Sequence, residues 1–128
     1  MSLDYDVLVV ASYPGTGAGL KKALESGLPS QKIGEAATAE EGIQAIYDAV
    51  HNGGRIGVVV TDLHLDRTEG KGSEVLEYAR AYDVPVIVMS EKESNHCAQE
   101  LLDSRAYAYF QKGKHVKILL GFIHSALT

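Results

Sequence analysis

The chain alternates between two hydrophobic patterns. Short unbroken apolar runs recur, and between them apolar residues fall at steps of three and four. The runs are Tyr5-Asp6-Val7-Leu8-Val9-Val10-Ala11, then Val58-Val59-Val60, then Val84-Pro85-Val86-Ile87-Val88-Met89-Ser90, then Tyr107-Ala108-Tyr109-Phe110. Each reads as a strand, and the β-branched run Val58–Val60 as one buried on both faces. Pro85 stands near the start of its run, where a missing N–H is tolerated. A weaker strand is expected over residues 31–38, with Ile33, Ala36 and Ala37. The three-and-four spacing predicts five helices. Their apolar positions are Leu20, Ala23 and Leu24; Ile43, Ile46, Tyr47 and Val50; Ser73, Val75, Leu76 and Ala79; Ala98, Leu101 and Leu102; and Val116, Leu119, Leu120, Ile123 and Leu127. Thr38 followed three residues later by Glu41 has the form of a capping box. Gly27-Leu28-Pro29 and Asn52-Gly53-Gly54 are helix stops. Strand and helix therefore alternate five times with short connections. That order predicts a parallel α/β sheet covered by helices on both faces, with right-handed crossovers. Residues 1–128 show no repeat, linker or low-complexity segment and read as one domain. Met1-Ser2-Leu3 carries no functional weight.

Composition narrows the class. The chain is 45% hydrophobic and 23% charged, an ordinary globular balance, and 128 residues can bury a core without staples. A net charge of -5 disfavours direct nucleic-acid binding. Cys97 is the only cysteine, which excludes an intrachain disulfide and a zinc site built on several thiolates. The longest apolar runs are too short to span a bilayer and no basic-then-apolar leader opens the chain, so a reduced, cytoplasmic domain is expected. His51, His64, His96, His115 and His124 show no metal spacing and read as surface residues.

Candidate chemistry gathers where strands end. Parallel strands would bring Asp62, Ser90 and Lys112 to one carboxyl edge of the sheet, the edge where ligands bind in open α/β folds. A carboxylate can attack phosphorus and hold an acyl phosphate. A lysine supplies charge for phosphoryl oxygens, and a hydroxyl can donate a hydrogen bond to one of them. Asp62 alone would be read as a turn residue; the three together carry more weight. A rival is the loop Gly15-Thr16-Gly17-Ala18-Gly19, which follows a strand and opens a helix as a dinucleotide fingerprint does, with Glu35 as a ribose acid. Its sixth position is Leu20 and it lacks a Gly-Lys-Ser/Thr ending, so a plain turn into a helix is favoured. A flavodoxin-like nucleotide-binding domain remains the alternative.

The first strand and loop (residues 7–14), Thr61-Asp62-Leu63-His64-Leu65, the strand ending in Ser90, and Tyr109-Phe110-Gln111-Lys112 together resemble the receiver domain of two-component response regulators. The resemblance covers essentially the whole chain. It implies a flavodoxin-like (βα)5 sandwich with strand order 2-1-3-4-5. It implies Asp62 as phosphoacceptor, Ser90 as phosphate-sensing hydroxyl, Lys112 as the site lysine and Tyr109 as switch aromatic. It also implies a histidine kinase or phosphotransfer protein as phosphoryl source, and a signalling role without turnover. Two departures stand out. Receivers carry an acid pair where this chain has Ala11 and Ser12, and Mg²⁺ wants hard oxygen ligands, so Mg²⁺ binding is expected to be weak or absent and phosphorylation impaired. Asp66 and Glu69 lie in the next loop as the remaining nearby acids. The second departure is Gly113 after Lys112, where the family has proline.

Ile118 and Phe122, four apart on the last helix, point roughly opposite its core stripe. They are expected to be exposed and to form a homodimer or partner-domain contact.

Overall fold

Unbroken apolar strands can satisfy both their faces only inside a sheet that is covered twice, and this dictates the architecture. A computed structural model of the chain describes residues 4–11, 16–62, 71–90 and 106–128. The elements in order are β1 (Asp4–Val10), α1 (Thr16–Gly27), β2 (Ile33–Ala36), α2 (Ala39–His51), β3 (Arg55–Asp62), α3 (Lys71–Ala81), β4 (Val86–Ser90), β5 (Ala108–Gln111) and α4 (Val116–Leu127). All strand pairs are parallel, in the order β2-β1-β3-β4-β5. This is the flavodoxin-like sheet expected above. The helix expected over residues 95–105 lies outside the described residues.

Alternation of side chains along each strand divides the core in two. Leu8, Val10, Val59, Val86 and Val88 face α2 and α3, where Ile46, Ala49, Val75, Leu76 and Ala79 are buried against them. Val7, Val9, Val58, Val60, Ile87, Met89 and Phe110 face α1 and α4, against Leu24, Leu119 and Ile123. The expected stripe on the last helix is therefore the buried one. On α2 the stripe is narrower than its spacing suggests: Ile46 is buried, but Tyr47 and Val50 are exposed. Ala39, Gly42 and Ala49 take the close-contact positions instead. Small residues let α2 approach the sheet, and the larger ones turn outward.

Local signals hold with one change. Glu41 N–H donates to Thr38 Oγ1 at 3.0 Å, capping α2. The Glu41 carboxylate reaches back one residue further than a capping box requires, accepting from Ala37 N–H at 2.7 Å. The last helix is capped by His115, whose Nδ1 accepts from Lys117 N–H at 3.1 Å.

Candidate phosphoryl-acceptor site

The register of the strands decides which polar side chains meet. Asp62 ends β3 and shares a face with Val58 and Val60. It lies opposite Met89 of β4, and Met89 lies opposite Phe110 of β5. Lys112 is two residues past Phe110 and so returns to that face. Its N–H donates to Ser90 O at 2.8 Å, extending the ladder one step beyond the strand. From there the side chain reaches across the end of β4, and Nζ sits 2.5 Å from Asp62 Oδ1. Asp62 is 2% exposed and the Lys112 side chain 22%. A carboxylate this buried is strongly unfavourable without a counter-charge, and Lys112 supplies it.

A turn aims the lysine. Lys114 N–H donates to Gln111 O at 3.3 Å, closing a four-residue turn with Gly113 in its third position at φ +92°. The turn is of the kind that requires positive φ there, which glycine adopts at little cost. No described peptide bond is cis, so the chain leaves Lys112 through a trans bond.

Ser90 ends β4 and is 2% exposed, at the same edge as Asp62. Tyr109 stands opposite Val88 and packs against the cluster beneath α2 and α3, on the other side of the sheet from the Asp62–Lys112 pair. Thr61, fully buried, was not singled out from the sequence. Its hydroxyl donates to the Asp62 carbonyl at 3.1 Å, tying down the backbone of the acid. The Thr-Asp step that ends the β-branched run was the available signal.

Ala11 completes the picture from the other side. β1 and β3 pair Val10 with Thr61, so one step on Ala11 stands beside Asp62. Ala11 is 5% exposed, belongs to the α1/α4-side cluster, and donates its N–H to Ala36 O at 3.0 Å. Its methyl group occupies a place where the resemblance expects a carboxylate. Among the described residues Asp62 is the sole carboxylate that β1, β3, β4 or β5 brings to this edge, and no cluster of three or more potential metal ligands occurs. Asp62 is thus the one carboxylate that the described residues offer Mg²⁺ here, an ion that takes its other oxygens from water and phosphate. Ser12, Asp66, Glu69, Gly15, Cys97, His64 and His96 lie outside the described residues. Thr16, Gly17 and Gly19 lie inside α1 rather than in a loop before it, and Glu35 is exposed on β2.

The expected partner face is corrected in part. Ile118 is 47% exposed, as its helical phase predicts. Phe122 is partly buried and rests against the α1/α4-side cluster.

A parallel sheet in this order, with an acid and a lysine paired at its carboxyl edge, defines a flavodoxin-like domain of the kind used in signalling. The family model of the response regulator receiver domain matches residues 7–123, and the chain belongs to that family. Solved structures agree on the fold. A response regulator receiver domain protein from Clostridium thermocellum superposes with a TM-score of 0.79 at 20% identity, covering 94% of this chain and 92% of that one. A CheY-like receiver domain protein from Methanospirillum hungatei JF-1 gives 0.79 at 24% identity, covering 98% and 94%. The receiver domain of the Francisella response regulator 1452 gives 0.77 at 20%, covering 97% of each. Comparison with curated proteins finds no match. Receiver domains serve two-component signalling, exchanging phosphoryl groups with histidine kinases or phosphotransfer proteins, and are in general signalling domains rather than enzymes. No described helix is long and apolar enough to cross a membrane.

Proposed function

We propose that the chain acts as a single receiver unit whose phosphoacceptor is Asp62, and that its phosphorylation is impaired relative to a receiver with a full acid set. The observation that carries the reading is the buried Asp62–Lys112 pair at the carboxyl edge of the sheet. In this reading an Asp62 oxygen bonds to phosphorus as the donor's P–N bond breaks, and Lys112 neutralises the phosphoryl oxygens. Ser90 is the hydroxyl that follows the phosphoryl group, and Tyr109 the aromatic that reports its arrival across β5. Ala11 beside Asp62 supports impairment, because it contributes no oxygen to a metal that would otherwise offset charge. The module itself turns over no substrate, and we place it in the cytoplasm.

Intact mass after incubation with acetyl phosphate and Mg²⁺ tests the assignment. A phosphoryl adduct, slow to form in the wild type, is expected to vanish in Asp62→Asn. An adduct that survives this change would move the acceptor elsewhere. For contacts, we assign a homodimer or partner-domain face to α4 around Ile118, the more exposed of its two outward apolar residues. Ile118→Glu is expected to weaken self-association in sedimentation while leaving the circular dichroism spectrum intact. A variant that associates as strongly as the wild type overturns this face.

A further inference from the structure

Away from the Asp62 edge, α2 and α3 lie side by side over the opposite face of the sheet, and their last turns gather an aromatic group. Three of the chain's seven tyrosines, Tyr47, Tyr78 and Tyr82, meet there with His51. Spacing makes the pairs: Tyr47 and His51 are four apart on α2, and Tyr78 and Tyr82 four apart along α3 and its exit. The Tyr47 and His51 rings stack with centroids 4.0 Å apart and planes 24° from parallel. His51 meets Tyr82 edge-on at 5.6 Å, and Tyr82 meets Tyr78 at 5.3 Å. His51 Nδ1 lies 3.0 Å from Tyr47 O. A carbonyl only accepts, so Nδ1 is the donor in this contact. Desolvation, and after it a hydrogen bond with Tyr82, pushes the Tyr78 phenol above its ordinary value, so that phenol stays neutral at physiological pH.

Tyr47, His51 and Tyr82 are open to solvent, while Tyr78 is partly buried against the core. Tyr47 is 46% exposed and Tyr82 36%, with Val50 beside them at 36%. A single exposed tyrosine needs no account. Four rings linked by three successive contacts form a platform, and rings held against one another have less freedom left to lose on binding. The surrounding charge selects among occupants. Within four residues of a ring stand four acids, Asp48, Glu74, Glu77 and Asp83, against two cations, Arg80 and Arg55, the latter paired with Asp6 at 2.8 Å. Glu74, Glu77 and Asp83 are exposed, and Glu74 lies on the same ridge as Tyr78 and Tyr82, four residues before Tyr78. A second copy of the chain would set like charges against each other, and a nucleic acid or anionic membrane would be repelled. A guanidinium suits the place: it is planar, weakly hydrated, stacks on aromatic faces and pairs with carboxylates.

We propose that the Tyr47–His51–Tyr82–Tyr78 platform is a docking surface for an arginine-bearing, basic segment of a partner protein. The rings bind the guanidinium face, and the acidic rim draws the segment in and fixes its register. The surface is independent of Asp62 and works in the unphosphorylated domain.

The probe is a synthetic Arg-Gly repeat peptide, compared with its Lys-Gly and citrulline-Gly counterparts. Binding is followed by chemical-shift changes in the whole chain at low and moderate salt. The arginine peptide is expected to shift Tyr47, His51, Tyr78 and Tyr82 first and to bind several-fold more tightly than the lysine peptide. The citrulline peptide is expected to bind least. Tyr47→Leu with Tyr82→Leu keeps apolar bulk but removes the ring faces, and should weaken arginine binding about tenfold. Equal binding of the arginine and lysine peptides, lost with salt, reduces the effect to general charge attraction and overturns the proposal. So does arginine binding that the leucine variants leave unchanged. Self-association that maps to these rings would assign the platform to a second copy instead.

Discussion

A carboxylate with 2% exposure is matched by a lysine that arrives from two strands away. This makes Lys112 a structural partner as well as a candidate phosphate ligand. Lys112→Met is expected to lower unfolding stability by about 3 kcal/mol, since it removes the counter-charge from a buried carboxylate. Adding Asp62→Asn to that change should recover much of the loss, because no buried carboxylate then lacks its counter-charge. Urea midpoints of the two variants check it, and equal midpoints would show that the pair carries no such coupling. At this scale the sequence was legible in identity but not in geometry. Asp62, Ser90 and Lys112 could be named from strand ends. That Lys112 and Asp62 touch, while Tyr109 lies on the far side of the sheet, follows from register, which strand propensity does not reveal. Phe122 shows the same gap: its helical phase pointed outward, but it rests on the core.

Between elements, two glycines forecast opposite effects of one substitution. A methyl group on Gly57 in β3 would lie 2.5 Å from Leu127 Cδ2 and 2.6 Å from the Asp6 carbonyl oxygen. The leucine could yield, but the backbone oxygen belongs to β1 and is held in the sheet. Gly57→Ala is expected to destabilise by about 2 kcal/mol, as overpacking does. Gly121 lies within α4, and a methyl group there meets nothing within 4 Å. Gly121→Ala should therefore stabilise by about 0.5–1 kcal/mol through helix propensity alone. Thermal melts of the two variants should move in opposite directions; a shift of the same sign would refute the packing account at one position. The elements themselves were readable from periodicity and punctuation: Thr38 begins α2, Gly27 ends α1, and the stripe on α4 is the buried one. The stripe on α2 was not readable in full, because close approach favoured alanine and glycine over the bulkier Tyr47 and Val50.

For the molecule as a whole, ligand binding is linked to stability, which makes the metal question measurable without any phosphoryl donor. A ligand at a hundred times its Kd adds about 2.7 kcal/mol, on the order of 10 °C for a domain of this size. With Ala11 beside Asp62, millimolar Mg²⁺ is expected to leave the melting temperature unchanged. A rise of several degrees that disappears in Asp62→Asn would refute the impaired site. The alternation of patterns, the turn residues and the order of polar strand ends were enough to determine the layered α/β class and to name candidate site residues. They are local or periodic properties, and each is written in consecutive residues. Which side chains share a face, which apolar residues stay exposed and which acid meets which base depend on pairing between distant strands. The Asp62–Lys112 contact spans fifty residues of sequence, and the Tyr47–Tyr82 platform joins two helices. Only the tertiary structure decided those, because register and helix contact are settled by packing the whole chain at once.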